Sequence, residues 1–344
     1  KDEITLREAC GNTVRNVTAS VMAGVDPNEA FDVTPYAQAF FEYFLRNPIC
    51  QEMGRKFKVA FSSSSVDDAL TFIHDLGFIP RIENGISGFR VLLGGGIGSQ
   101  PMDAQEVFSF LAADKIIPYS EAVIRVFDRH GERNKRNKAR LKFLIKEIGL
   151  DSFRVLVEQE LKVVNHQEYA IEPIKRTLKE AKFVGEISLN SSPAFEAWKK
   201  ANTFTQKQIG YVAVGLPIKT GDIASGKARL LADLIEQFTR DDNRFSVGQS
   251  ILLRDVKEEH LPALYHALEQ LNLHRIGFHK INDIVTCPGT DTCNLGIASS
   301  MGLANELQKL IETEFYSLIN THDIQIKISG CMNACGQHTL AHIG

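Results

Sequence analysis

The chain has 344 residues, 44% of them apolar and 24% charged, with 25 Gly and 11 Pro. These values exclude disordered, collagenous and low-complexity classes, and the length favours two or three domains over one. Lys plus Arg is 39 against 42 for Asp plus Glu, a net charge of −3, which excludes a strongly basic nucleic-acid binder but leaves room for a local basic patch. No apolar run approaches the roughly 18 residues of a membrane helix, so no membrane partner is expected. Nothing resembles an export signal, and a cytoplasmic setting is expected.

In chain order, residues 35–45 have helical spacing through Tyr36, Phe40, Phe41 and Phe44, and 56–62 read as a strand ending in serines. Residues 66–76 have helical spacing. Residues 89–93 form a short apolar strand that runs into Gly94-Gly95-Gly96-Ile97-Gly98. Residues 120–129 and 135–148 read as helices. This alternation predicts a layered α/β domain over 1–165. Polar residues accumulate over 166–203, which read as a helical connection. Strand 211–218, helix 225–238, strand 246–254 and helix 258–271 then predict a ferredoxin-like half-domain over 204–280. Residues 281–344 carry the last four cysteines, with helix 300–315 and strand 324–328 between the two pairs. The fold class expected is α+β.

The glycine run follows a strand as a nucleotide loop would. The third glycine of G-x-G-x-x-G is missing, however, and Pro101 and Asp103 stand where a helix would start. The same residues allow a loop that lets backbone approach a flat cofactor. Arg133, Lys135, Arg136, Lys138, Arg140 and Lys142 fall within ten residues. A solvated helix face, an RNA-binding patch and a site for a polyanionic small molecule are the three readings. No aromatic residue is interleaved as a base platform, so no nucleic-acid partner is expected. Arg forks pair bidentately with carboxylates, each such bond contributing on the order of 1.5–3 kcal/mol. Lys56 and Lys58 are two apart, so on a strand they share a face, with Phe57 opposite. Either this is an edge strand defended by lysines, or two ammonium groups converge on a small oxyanion and protonate it.

Six cysteines in 344 residues are too sparse for a disulfide-stapled scaffold. Cys10 and Cys50 sit in apolar, helix-like contexts and read as core thiols. Cys287-x5-Cys293 and Cys331-x3-Cys335 are spaced more widely than ordinary zinc knuckles. Small residues crowd these sulfurs, leaving backbone N–H groups to point at sulfide, which suits an iron–sulfur cluster.

As a set, these segments resemble one family, the siroheme-containing nitrite and sulfite reductases that also carry a four-iron four-sulfur cluster. The resemblance runs through nearly the whole chain. It includes residues 12–17 with 23–27, the 55–58 strand, the glycine loop and Gly131-x-Arg133-x-x-Arg136-x-x-x-Arg140-x-Lys142, which looks like the family's basic helix. It also includes Gly215-Leu216 through Arg244 with Gln249-Ser250, similar to the second of two ferredoxin-like arms, and both cysteine turns.

The resemblance implies that Cys287, Cys293, Cys331 and Cys335 ligate the cluster and that Cys335 also bridges to the siroheme iron. It implies that Arg133, Arg136 and Arg140 neutralise siroheme carboxylates, with Asn333 beside the cofactor, and that Arg15, Lys56 and Lys58 surround the anionic substrate and supply protons. The implied reaction is six-electron reduction of sulfite to sulfide, or of nitrite to ammonia, with ferredoxin or a flavoprotein as electron donor. The Lys-x-Lys pair looks like the sulfite-reducing members, where nitrite-reducing members tend to Asn at the second position, so sulfite is expected. The 23–27 stretch looks more like the nitrite enzymes. The family pattern has another ferredoxin-like arm ahead of Lys1 and the rest of the cluster domain after Gly344, so a longer enzyme is expected.

Overall fold

A mixed five-stranded sheet organises the first part of the chain. Its strands are β1 (Val14–Ala19), β2 (Phe57–Phe61), β3 (Leu76–Glu83), β4 (Ile86–Leu93) and β5 (Gln105–Ala112), in that spatial order. β1, β2 and β3 run parallel, whereas β3, β4 and β5 are antiparallel. The computed structural model describes residues 11–173, 182–183, 192–239 and 243–344. Cys10 and parts of the expected 166–203 connection lie outside the described residues. The chain divides into two compact units, 1–96 with 101–176 and 97–100 with 177–344.

In the first unit, helix α1 (Thr34–Phe44) buries Tyr36, Phe40 and Phe44 at intervals of four, the period expected of one helical face. Phe40 meets Phe61 of β2 and Phe78 of β3, and Phe61 stacks on Phe78 with centroids 4.7 Å apart. Fully burying a side chain of this size contributes roughly 1.5–3 kcal/mol. Helices α2 (Ile116–His130), α3 (Leu141–Ile148) and α4 (Leu150–Leu161) complete the unit, and α2 and α4 add Val123, Phe127, Phe153 and Val157 to the same core. Asn84 and Gly85, both at positive φ, close the β3–β4 hairpin, the chemistry that a two-residue primed turn requires.

Two expectations fail here for physical reasons. Residues 66–76 are not a helix. Asp67 and Leu70 take φ of 57° and 56°, and the Asp67 carboxylate accepts from the Thr71 amide and hydroxyl at 2.9 and 2.8 Å. Side-chain capture of the backbone replaces the helical ladder, leaving one 3₁₀ turn at Thr71–Ile73. The basic run is not a helix either. Gly131 is extended after α2, Arg136–Lys138 make a single 3₁₀ turn, and α3 starts only at Leu141. Like charges three and four apart oppose a helix across this stretch.

In the second unit, α5 (Pro193–Asn202) precedes β6 (Thr203–Thr205), β7 (Tyr211–Leu216), α6 (Ser225–Phe238), β8 (Asn243–Phe245), β9 (Ile251–Lys257) and α7 (Leu261–Gln270). The strands form an antiparallel sheet in the order β6-β7-β9-β8. Val212, Val214 and Leu216 alternate along β7 and pack with Leu231, Ile235, Leu264 and Leu268, burying one face of the sheet under the helices. The expected strand over 246–254 starts late, because the Ser246 hydroxyl accepts from the Gly248 and Ser250 amides and makes 246–250 a turn. Beyond α7 come β10 (Val285–Thr286), α8 (Ser300–Glu314), α9 (Leu318–Thr321) and β11 (Lys327–Ile328), with β10 and β11 paired in parallel. Among the described residues, no helix is long and apolar enough to cross a membrane.

Candidate functional site

The first unit concentrates cations beside β2, an interior strand of its sheet. Phe57 and Val59 are buried, while Lys56 and Lys58 are half-buried on the opposite face, as the strand period requires. β2 lies between β1 and β3, so these lysines do not guard an edge. Burial lowers the pKa of Lys56 to about 8, helped by the charges of Lys58, Arg15, Arg140 and Arg55. Arg55 is likewise held below its ordinary value by burial, then by Arg136, Arg140 and Arg15. Its buried Nε has no hydrogen-bond partner among the described residues. Arg15 anchors through its Nε to the Gly11 carbonyl at 2.8 Å.

The basic run disperses its charges. Arg133 turns to Asp128 at 2.5 Å and is 49% exposed, and Arg136 is exposed. Arg140 is largely buried against Asp75, and the buried Lys142 donates to the Gly96 carbonyl at 3.1 Å. The glycine loop makes this approach possible. A Cβ on Gly95 would lie 2.3 Å from the Phe72 carbonyl oxygen, and one on Gly96 would lie 3.1 Å from Arg140 Nη2. Asp75 was not among the residues that sequence reasoning singled out, and no spacing signals it.

The second unit joins the two cysteine turns. Each turn follows a strand of the β10–β11 pair, and the Cys287 amide bonds the Ile328 carbonyl at 3.2 Å. The Gly330 amide donates to Cys287 Sγ at 3.1 Å, while the Gly330 carbonyl accepts from the Ile297 and Ala298 amides at 2.8 and 3.2 Å. Burial pushes the Cys287 thiol up, but hydrogen bonds from the Gly330 amide, the Ser300 hydroxyl and the Gly289 amide outweigh it, so its pKa is lowered overall. Cys331 is half-buried, and Cys293, Cys335 and Asn333 are exposed. The Gln249 side chain exchanges two hydrogen bonds with the Thr286 backbone, at 2.7 and 2.9 Å, tying the half-domain to the residue before Cys287. Cys50 is fully buried with its thiol against the Phe44 carbonyl at 3.2 Å, a core residue outside the site.

Two family models match the chain, the nitrite and sulphite reductase 4Fe-4S domain over residues 10–164 and the nitrite/sulfite reductase ferredoxin-like half domain over 204–271. The chain belongs to the nitrite and sulfite reductase family. Sulfite reductase [ferredoxin] 1 of Mycolicibacterium paratuberculosis is 28% identical over 98% of the chain and 57% of that relative. Chloroplastic ferredoxin–nitrite reductase of Zea mays is 27% identical over 97% of the chain and 56% of its own length. The solved structure of the Mycobacterium tuberculosis NirA protein superposes with a TM-score of 0.76 at 28% identity, covering 96% of this chain and 57% of that one. The chain thus spans a little over half the length of these relatives.

The cofactors of the nitrite and sulfite reductase family are siroheme and a 4Fe–4S cluster, and the residues here fit both. None of the four late cysteines is in a disulfide, and their turns are tied together by hydrogen bonds. Among the described residues, no three His, Cys, Asp or Glu side chains converge closely enough to hold a single metal ion. A four-iron cluster asks for a wider frame, because each thiolate binds its own iron. The orphaned Arg55 Nε and the cations around Lys56 suit a polyanionic ligand.

Proposed function

We propose that this chain is the cofactor-carrying part of an assimilatory reductase that converts sulfite to sulfide, with nitrite to ammonia as the second reading. The observation that carries the proposal is the cationic face of β1 and β2, where Lys56 is held at about pKa 8 beside Lys58, Arg15, Arg55 and Arg140. In this reading Cys287, Cys293, Cys331 and Cys335 would hold the cluster, and Cys335 would also help to hold the siroheme. Arg133, Arg136, Arg140 and Asn333 attend the macrocycle. When bound, the two groups supply an iron for the anion and electrons one at a time.

The protein side chains supply charge and protons. Arg15 and Lys58 offset the charge of the bound oxyanion. An ammonium of pKa about 8 is charged at neutral pH yet gives up its proton more readily than an ordinary lysine, so Lys56 acts as general acid. Each oxygen that leaves as water needs two protons. Lys56 and Lys58 are only half-buried, so solvent can reload them between steps. The names of both relatives above carry ferredoxin, which supports ferredoxin over a flavoprotein as donor.

Lys58 supports sulfite, and the 23–27 segment supports nitrite. The deciding experiment is turnover of the holoenzyme with both anions, wild type against Lys58→Asn. A higher kcat/KM for sulfite that moves toward nitrite in the variant supports the first reading. Dominant nitrite turnover in wild type, little changed by the substitution, selects the second. A holoenzyme that reduces neither anion sinks both.

A further inference from the structure

Lys327 stands at the base of both cysteine turns. On β11 it is in register with Val285 of β10, two residues before Cys287. Its own strand ends at Ile328, three residues before Cys331. Its Nζ donates to Gln337 Oε1 at 2.8 Å, two residues past Cys335. Gln337 takes φ of 60°, and its amide bonds the Ala334 carbonyl at 2.9 Å, so the turn itself presents the acceptor. Gly336 tightens the same joint, since a Cβ there would lie 1.9 Å from the Ile328 carbonyl oxygen.

Lys327 is 6% exposed, yet among the described residues its ammonium has only a neutral amide as partner. Burying an ammonium is unfavourable unless an anion compensates it. The neighbouring His279 offers none, because burial and the Lys327 charge both hold its pKa at about 4. The nearby acids are engaged elsewhere. Asp283 accepts from the Ser250 hydroxyl and the His279 amide, and Asp323 pairs with Lys280. What the frame around Lys327 does carry is four cysteines.

We propose that Lys327 is the buried counter-charge of the iron–sulfur cluster and raises its reduction potential. This rests on the reading that the four cysteines hold that cluster. A cluster with four thiolate ligands is anionic and gains one more negative charge on reduction. A fixed cation beneath it therefore stabilises the reduced form more than the oxidised form, and net charge and hydrogen bonding near the sulfurs are recognised determinants of such potentials. Lys327 touches no substrate and acts as a tuning residue.

The test is a redox titration of the holoenzyme followed by electron paramagnetic resonance of the reduced cluster, with iron and sulfide content measured alongside. Lys327→Met keeps the aliphatic stem and removes the charge, and Lys327→Arg keeps the charge. The expected result is a potential lowered in Lys327→Met by at least tenfold in the one-electron equilibrium, about 59 mV, with Lys327→Arg close to wild type. A smaller shift, or an equal one in Lys327→Arg, overturns the proposal. If Lys327→Met takes up no cluster, Gln337→Glu decides, since its carboxylate neutralises the ammonium in place. The potential falls there too, and an unchanged value overturns the proposal. A wild-type holoenzyme without a cluster signal overturns the cysteine assignment itself, whereas a normal signal with unmoved potentials overturns Lys327 alone.

Discussion

Arg140 and Asp75, 65 residues apart in the chain, form a two-pronged ion pair inside the first unit, Nη2 to Oδ2 at 2.8 Å and Nε to Oδ1 at 3.3 Å. Asp75 is fully buried, and the Arg140 side chain is 13% exposed. The same Oδ2 accepts the Lys58 amide at 2.9 Å, and the Asp75 carbonyl accepts the Gly94 amide at 2.9 Å. One acid thus ties together the lysine strand, the glycine loop and the basic run.

Asp75→Asn keeps an acceptor for the Lys58 amide but leaves Arg140 as an uncompensated, mostly buried cation. Removing one partner of a buried pair costs about 3–5 kcal/mol, and denaturant unfolding should show a loss at the lower end of that range. Adding Arg140→Met should recover most of it, because the stranded charge is gone. A loss under about 1 kcal/mol for Asp75→Asn alone would mean that the pair contributes little.

The depressed pKa of Lys56 predicts an alkaline limit on activity. Charge at Lys56 is present below about pH 8 and lost above it, so kcat/KM of the holoenzyme should fall as pH rises through that value. Lys56→Arg, whose guanidinium stays protonated, should move or remove the fall. An unchanged profile in the variant would take Lys56 out of the proton and charge supply.

Acid sensitivity should trace in part to His74. Burial, reinforced by the charges of Lys58 and Arg140, holds its pKa at about 4, while its Nδ1 lies 2.8 Å from the Leu70 carbonyl. A histidine depressed in the folded state contributes stability that is present above its unfolded value near 6.5 and is lost as pH falls through about 4. The full swing is about 3 kcal/mol. Asp283 works in the opposite sense. Burial raises it to about 6, so its contribution is present below the unfolded carboxylate value and fades as pH rises through 6. His74→Gln should therefore lose less stability between pH 7 and 4 than wild type, read by urea unfolding at each pH. Equal losses in the two proteins would contradict the assignment.

Gly330 should be intolerant of any side chain. An added Cβ would lie 2.6 Å from Gly289 Cα and 2.8 Å from the Ala298 carbonyl oxygen, both backbone atoms that cannot swing away. Gly330→Ala should cost about 1–3 kcal/mol or more and disturb the amide that meets Cys287, so bound iron and sulfide should fall well below wild type. Gly226→Ala in α6 meets nothing within 4 Å and should stabilise by about 0.4–1 kcal/mol with iron content unchanged. Equal iron loss in both would point to a nonspecific effect.

Local periodicity was enough for α1, α6 and α8, whose buried residues recur along one face. It also placed Lys56 and Lys58 on one face, because a strand alternates sides whatever surrounds it. The family pattern and the four late cysteines were likewise legible as residue types at fixed spacings. Local side-chain capture and long-range contacts decided the rest. Helical spacing over 66–76 lost to Asp67, whose carboxylate captured Thr71. The interior place of β2 depends on β1 and β3 pairing on either side, which no local pattern encodes. The links from Asp75 to Arg140, from Gly330 to Cys287 and from Lys327 to Gln337 each join residues that only chain folding brings within hydrogen-bond reach. Sequence determined which chemical groups this protein carries, because type and period are local properties. Tertiary structure alone decided which of those groups are buried, paired or left charged, because burial and electrostatic environment arise only when distant segments pack.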